Sequence, residues 1–212
     1  PNSRDRVYGD ISDNNESVTV TGTGGHSVSV GGKTFNNITK IIGIGGEGND
    51  TIILDLTNSE GIDYELDGGV GDDTIQVTGG TGRGKIIGGV GNDTLTGGDG
   101  IDEIYGGEGN DVIHGGGSQD IIFGDQGRNV PVSAYVTTPY ITSRVTKSDG
   151  ADTIYGDGGD DIIIGAGGDD LLSGDAGDDV LIGDGGRFEY IPAGPDNHID
   201  VASLRPSTYP YI

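Results

Sequence analysis

The sequence predicts an all-β chain wound as a flattened solenoid. Three observations lead there. From Gly88 onward a frame of nine residues repeats in register, with six turn-forming positions and three able to make a short strand. Glycine supplies 45 of the 212 residues, about three times ordinary usage. Acidic residues number 35 against 11 basic ones, leaving a net charge of −24. A chain this acidic and this poor in apolar residues would not fold unaided, because burial could not offset backbone entropy. A bound cation changes that balance, so the carboxylates are expected to form a regular array.

The same composition excludes other classes. There is no Cys, so neither a disulfide framework nor a thiolate metal site is possible. Nucleic-acid tracking needs a basic patch, and none is present. No apolar run is long enough to insert in a membrane. The chain starts at Pro1 without a charged-then-apolar leader, which is expected of a processed piece of something longer.

Residues 1–44 carry alternating β-branched runs, Val18-Thr-Val20, Val28-Ser-Val30 and Ile38-Thr-Lys-Ile41-Ile42, parted by Gly and Asn. They are expected to be earlier, irregular solenoid coils without metal chemistry. Residues 45–127 hold full units closing on Asp50 and Asp73, a degenerate unit with Gly61 and Asp63, and a unit with Gly84 in the Asp place. Units closing on Asp93, Asp102, Asp111 and Asp120 follow at strict nine-residue spacing. Residues 128–147 break the pattern and read as an insert. Residues 148–186 resume it with Asp152, Asp161, Asp170 and Asp179. Residues 187–212 form a second insert or cap. It opens like the first, since Gly124-Asp-Gln-Gly-Arg128 matches Gly183-Asp-Gly-Gly-Arg187, so a longer repeat carries both.

The frame, Gly-Gly-x-Gly-x-Asp-x-U-x with U a large aliphatic, resembles the RTX (repeats-in-toxin) calcium-binding repeat. Gly, Asp and Asn suit a turn with reversed backbone and exposed carbonyls. The x-U-x triplet suits a strand with U facing inward. The resemblance implies a parallel β-roll of two sheets. It also implies Ca²⁺ between each turn and the turn one coil later, held by two Asp side chains and turn carbonyls. Hard oxygen donors on flexible turns are what Ca²⁺ prefers. The implied carbonyl-bearing glycines are Gly46, Gly48, Gly69, Gly71, Gly89, Gly91, Gly98, Gly100, Gly107, Gly109, Gly116, Gly150, Gly159, Gly168 and Gly177.

Alternate turns share an edge. Counting through the insert places Asp50, Asp73, Asp93, Asp111, Asn129, Asp161 and Asp179 on one edge. Asp63, Gly84, Asp102, Asp120, Asp152 and Asp170 fall on the other. The Asp–Asp pairs are then 50/73, 73/93, 93/111, 161/179, 102/120, 120/152 and 152/170, seven strong sites with a few weaker ones at Asn129 and Gly84. Phe188 stands where a further Asp would be. The interior is expected at Ile86, Leu95, Ile104, Ile113, Ile122, Ile154, Ile163, Leu172 and Leu181. Tyr105, Phe123 and Tyr155 are expected in one outward ladder, with His114, Ile164 and Ile182 in the other. Strands such as Ile162-Ile-Ile164 are apolar on both faces, which predicts a cover by the inserts or a neighbouring chain.

No nucleophile elbow, zinc-helix motif or phosphate loop is present, and no helix follows the glycine patterns. His26, His114 and His198 are expected at the surface, and Asn15 and Asn37 sit in glycosylation sequons. The third turn positions carry no row of Thr, which argues against ice binding. The expected function is a non-enzymatic, calcium-stiffened structural module of a secreted or cell-surface protein of adhesin, surface-layer or filament type. The alternative is the RTX region of a secreted enzyme or toxin whose active domain lies elsewhere. Sites of this kind belong to the weak extracellular class, on the order of 0.1–1 mM. The expected partners are neighbouring modules or copies of the same protein, meeting through the Tyr105/Phe123/Tyr155 face.

Overall fold

The computed structural model describes residues 14–130, 140–143, 148–184, 187–189 and 205–206. Among them every regular element is a strand. The fold is the parallel β-solenoid that the nine-residue frame predicts.

One sheet of the roll is built from β1 (Ser17–Gly24), β5 (Thr51–Leu56), β7 (Thr74–Gly79), β9 (Thr94–Thr96), β11 (Val112–His114), β15 (Thr153–Tyr155) and β17 (Leu171–Ser173), all parallel. The other holds β4 (Lys40–Glu47), β6 (Asp63–Val70), β8 (Gly84–Val90), β10 (Asp102–Glu108), β12 (Ile121–Phe123), β16 (Ile162–Ala166) and β18 (Val180–Asp184). The chain alternates between them, so each coil contributes one strand to each sheet. Between the sheets the aliphatic U side chains stack in register. Ile86, Leu95, Ile104, Ile113, Ile122, Ile154 and Ile163 are all fully buried. A one-residue slip would turn this whole row to solvent, which is what pins the register. Leu172 is only partly buried, and Leu181, expected inside, is 44 % exposed. Both lie on the last strands of their sheets, so no described coil follows to close over them.

The N-terminal runs divide. β1 and β4 are coil strands, but Val28-Ser-Val30 is not. It lies in β2 (Ser27–Val30), which forms an antiparallel hairpin with β3 (Lys33–Asn36) and extends the first sheet beyond β1. Gly31 and Gly32 both have positive φ, 55° and 76°, the conformation of a two-residue primed turn that returns the chain on itself. Buried Val28 and part-buried Phe35 pack on the end of the core.

The insert corrects the expected edges. Gly124 and Asp125 occupy the first two positions of a turn whose last four are Asp149, Gly150, Ala151 and Asp152. A methyl built on Gly124 would lie 2.2 Å from Asp152 Oδ2, the same relation that Gly106 has with Asp111. The insert therefore leaves and re-enters one turn, and it does not count as a turn itself. Asn129 lies away from the edge, in β13 (Gly127–Val130), paired with Ile141 of β14 (Tyr140–Ser143). Every later turn consequently sits on the edge opposite to the one counted through Asn129.

The same shift rearranges the outward ladders. Tyr105 is followed by Phe123, Ile164 and Ile182 on the second sheet, whereas His114 is followed by Tyr155 and Ser173 on the first. Tyr105 and Phe123 stack at 4.9 Å, and His114 and Tyr155 at 4.8 Å. Tyr105, Phe123 and Tyr155 therefore do not form one face. Ile121, Phe123, Ile162, Ile164 and Ala166 make a second buried cluster, so these strands are covered on both faces. The two inserts meet in a separate antiparallel sheet of order β13–β14–β19–β20, with β19 at Arg187–Glu189 and β20 at Arg205–Pro206. Phe188 belongs to it, and His198 lies outside the described residues.

Candidate metal centres along the two edges

Each turn must bring its aspartate back under the strand of its own coil. Glycines make this possible. At Gly89 and Gly91 φ is 122° and 142°, which side-chain-bearing residues rarely adopt. The coils also stack too tightly for side chains there. A methyl on Gly107 would lie 2.0 Å from the Gly89 carbonyl oxygen, and one on Gly109 would lie 2.1 Å from that of Gly91. Gly159, Gly168 and Gly177 face the carbonyls of Ser118, Gly150 and Gly159 in the same way.

The aspartates form two continuous rows. On the first edge the N–H of Asp50 donates to Oδ1 of Asp73 at 2.7 Å, and Asp73 to Asp93 and Asp93 to Asp111 at 2.8 Å. Asp111 donates to Asp152 at 2.8 Å and Asp152 to Asp170 at 3.1 Å. On the second edge Asp102 donates to Asp120 at 2.8 Å, Asp120 to Asp161 at 2.7 Å and Asp161 to Asp179 at 2.9 Å. The expected pair 120/152 is replaced by 111/152 and 120/161, and the other expected pairs stack as counted. Asp63 is not in the second row. It is exposed and accepts from the Arg83 N–H. Tyr64 takes the Asp place in that coil, one residue later than counted.

The second carboxylate oxygen carries the chemistry. Oδ2 of Asp50, Asp73, Asp93, Asp111, Asp120, Asp152 and Asp161 is buried without a hydrogen-bond partner. So is Oδ1 of Asp102. Carbonyl oxygens converge on the same places. The position of a methyl on Gly88 would be 2.3 Å from Asp93 Oδ2 and 2.5 Å from the Gly106 oxygen of the next coil. Gly45, Gly68, Gly106, Gly115, Gly124, Gly156 and Gly165 repeat this arrangement. A buried anionic oxygen without a donor is costly. Burial first, with nearby carboxylates adding to it, pushes the following groups above their ordinary value of 3.8. Asp73, Asp93 and Asp102 rise to about 6, Asp152 and Asp161 to about 7, Asp111 to about 8 and Asp120 to about 10. Orphaned oxygens, carbonyl neighbours and mutual repulsion fit a hard divalent cation between coils. Among the described residues no three acidic or imidazole side chains cluster, so such a cation would draw on backbone carbonyls as well as aspartates.

Two further features escape the nine-residue frame. The residue before each Asp builds a second ladder on the first edge. Asn15, Asn49, Asp72, Asn92 and Asn110 each accept, through Oδ1, the N–H of the matching residue one coil later. It runs opposite in sense to the Asp row beside it. The Asn or Asp that directly precedes Asp50, Asp73, Asp93 and Asp111 was a signal for it. Asp125 is fully buried and accepts from the N–H groups of Gly150 and Gly167, at 3.2 and 2.8 Å. It stitches the split turn to the next coil, and only the shared Gly-Asp-x-Gly-Arg opening hinted at it.

Parallel coils with oxygen-lined edges define a calcium-binding β-solenoid. A family model of the RTX calcium-binding nonapeptide repeat (4 copies) matches residues 43–58, 78–100, 96–131, 148–172 and 159–187, just over half of the chain. The chain belongs to that family and is a calcium-binding repeat module. No curated protein and no solved structure matches it.

Proposed function

We propose that the chain is a structural module that folds and stiffens when Ca²⁺ enters its two aspartate rows outside the cell. One observation carries this reading: seven aspartates in register, each with Oδ1 committed to the neighbouring coil and Oδ2 buried without a partner. The ligands would be those seven, Asp50, Asp73, Asp93, Asp111, Asp120, Asp152 and Asp161, with Asp170 and Asp179 closing the rows and turn carbonyls completing each shell. Without the cation the rows repel, so binding energy serves as folding energy. We assign the module no catalytic role, since its carboxylates follow the coil period and not the geometry of an acid–base pair.

Shared, carbonyl-rich sites belong to the weak class that cytosolic calcium leaves empty, which supports a secreted or cell-surface setting. The inserts leave the roll at matching places and pair with each other. That supports a role as a repeating spacer of adhesin, surface-layer or filament type, over service as the export region of an enzyme or toxin. Its partners would be neighbouring modules or further copies. The test is a calcium titration followed by far-UV circular dichroism, with magnesium as control. A cooperative coil-to-β transition near millimolar Ca²⁺, absent with Mg²⁺, is expected. A chain equally folded in EDTA overturns the reading.

A further inference from the structure

The second row begins differently from the first. In backbone register its column reads Tyr64, Gly84, Asp102, Asp120. Tyr64 is 2 % exposed, and its ring lies across the Gly84 coil. A methyl on Gly84 would fall 2.2 Å from the ring's Cε2 and 2.3 Å from its Cζ. The phenol thus passes over one coil and reaches the next. Its Oη donates to Asp102 Oδ2 at 2.6 Å, and the Gly98 N–H donates to both Oη and Oδ2, at 3.0 and 2.8 Å.

That Oδ2 is the oxygen that matters. In the Asp102 turn it faces the first glycine, Gly97, and the Gly115 carbonyl of the next coil, as Oδ2 does in the other turns. In seven turns this oxygen has no partner, but in the Asp102 turn two donors already satisfy it. The oxygen left over is Oδ1, which in the rows receives the N–H of the preceding coil's Asp. The N–H at that place in the preceding coil is Gly84's, and it donates instead to the Ile101 carbonyl at 3.2 Å.

We propose that Tyr64 is a metal-free stopper: its hydroxyl proton replaces the cation at Asp102, so the Asp102/Asp120 pair binds no calcium and the second row starts at Asp120/Asp161. This rests on the calcium reading above. It goes further in separating one Asp–Asp pair, otherwise like its neighbours, from the rest. Asp102 becomes an anchor that holds the first calcium-bearing coil of that edge to the metal-free coils before it.

The experiment is an ion count by native mass spectrometry of the whole 212-residue chain at saturating calcium, with circular dichroism confirming the fold. Tyr64→Phe keeps the ring and frees Asp102 Oδ2, so it is expected to bind one ion more than the parent chain. Asp102→Asn keeps an acceptor for the phenol and removes only the charge, so it is expected to leave the count unchanged. An unchanged count in Tyr64→Phe, or a count lowered by one in Asp102→Asn, overturns the proposal. If Tyr64→Phe does not fold, Asp102→Asn decides alone. A parent chain that binds no calcium would sink the calcium reading itself, an outcome separate from either of these.

Discussion

Asp111 donates its backbone N–H to Oδ1 of Asp152 at 2.8 Å, although 41 residues of chain separate them. The pair before it, Asp93 and Asp111, makes the same bond across 18 residues. The difference is the insert, which hangs from a single turn while the row runs through unbroken.

Joining Asp125 directly to Asp149 restores an uninterrupted turn. The shortened chain is expected to fold with calcium and to bind the same number of ions, counted by native mass spectrometry. It should also bind a hydrophobic dye more strongly, because Phe123 and Ile164 sit on a sheet face that needs a cover. A lower ion count would mean that the insert helps build the row.

Asp93 lies inside the first row, so its charge faces coils on both sides. Asp93→Asn keeps the Oδ1 acceptor for the Asp73 N–H and removes the anionic Oδ2. The calcium midpoint followed by circular dichroism is expected to rise several-fold, with at least one ion lost. An unchanged midpoint would show that the carbonyls alone suffice there.

The calcium-free chain should respond to pH in an unusual direction. Asp73, Asp93, Asp111, Asp120, Asp152 and Asp161 are raised to between about 6 and about 10 in the fold, against an ordinary 3.8. Between those values the folded form holds more protons than the unfolded one, so unfolding becomes easier as pH rises. In EDTA the β signal is therefore expected to be strongest near pH 4 and to fade through neutrality, because protons stand in for the metal. Saturating calcium should abolish the dependence above pH 6. Circular dichroism at fixed ionic strength checks both, and a β signal that grows with pH in EDTA would refute it.

Gly88→Ala and Gly46→Ala separate packing from backbone strain. A methyl on Gly88 meets Asp93 Oδ2 at 2.3 Å and the Gly106 carbonyl at 2.5 Å. The cost is expected to be about 3 kcal/mol or more. Gly46 has φ 121° but open space around its missing side chain, so strain alone should cost about 1–2 kcal/mol. Chemical denaturation at saturating calcium measures the two, and equal losses would contradict the tight stacking described above.

Sequence reasoning reached the parts of this fold that depend on local repetition. The aliphatic two residues after each Asp, from Ile86 to Ile163, lies where the frame places it. So do the strands of the roll and the stacking of 93 on 111 and of 102 on 120. It failed where a contact depends on how the chain re-enters the stack. Asn129 falls nine residues after Asp120 and looks like a turn, and only the backbone shows that Asp125 and Asp149 are neighbours. Gly31-Gly32 between alternating β residues is a hairpin signal that was outweighed by the solenoid pattern around it. Tyr64 was hidden by the Asp beside it, since a one-residue slip in an irregular unit leaves no trace in composition.

Gly124 and Gly183, where the two inserts leave the roll, are two coils apart through Gly165. At about 4.8 Å per strand that is roughly 10 Å along the roll axis. In the separate sheet, β13 and β19 are also two strands apart, by way of β14. The two spacings are commensurate. A side layer growing by one two-stranded hairpin for every two coils keeps step with the roll beneath it, so mismatch need not accumulate with length. A long array on this plan could carry such a layer along its whole flank without bending to accommodate it.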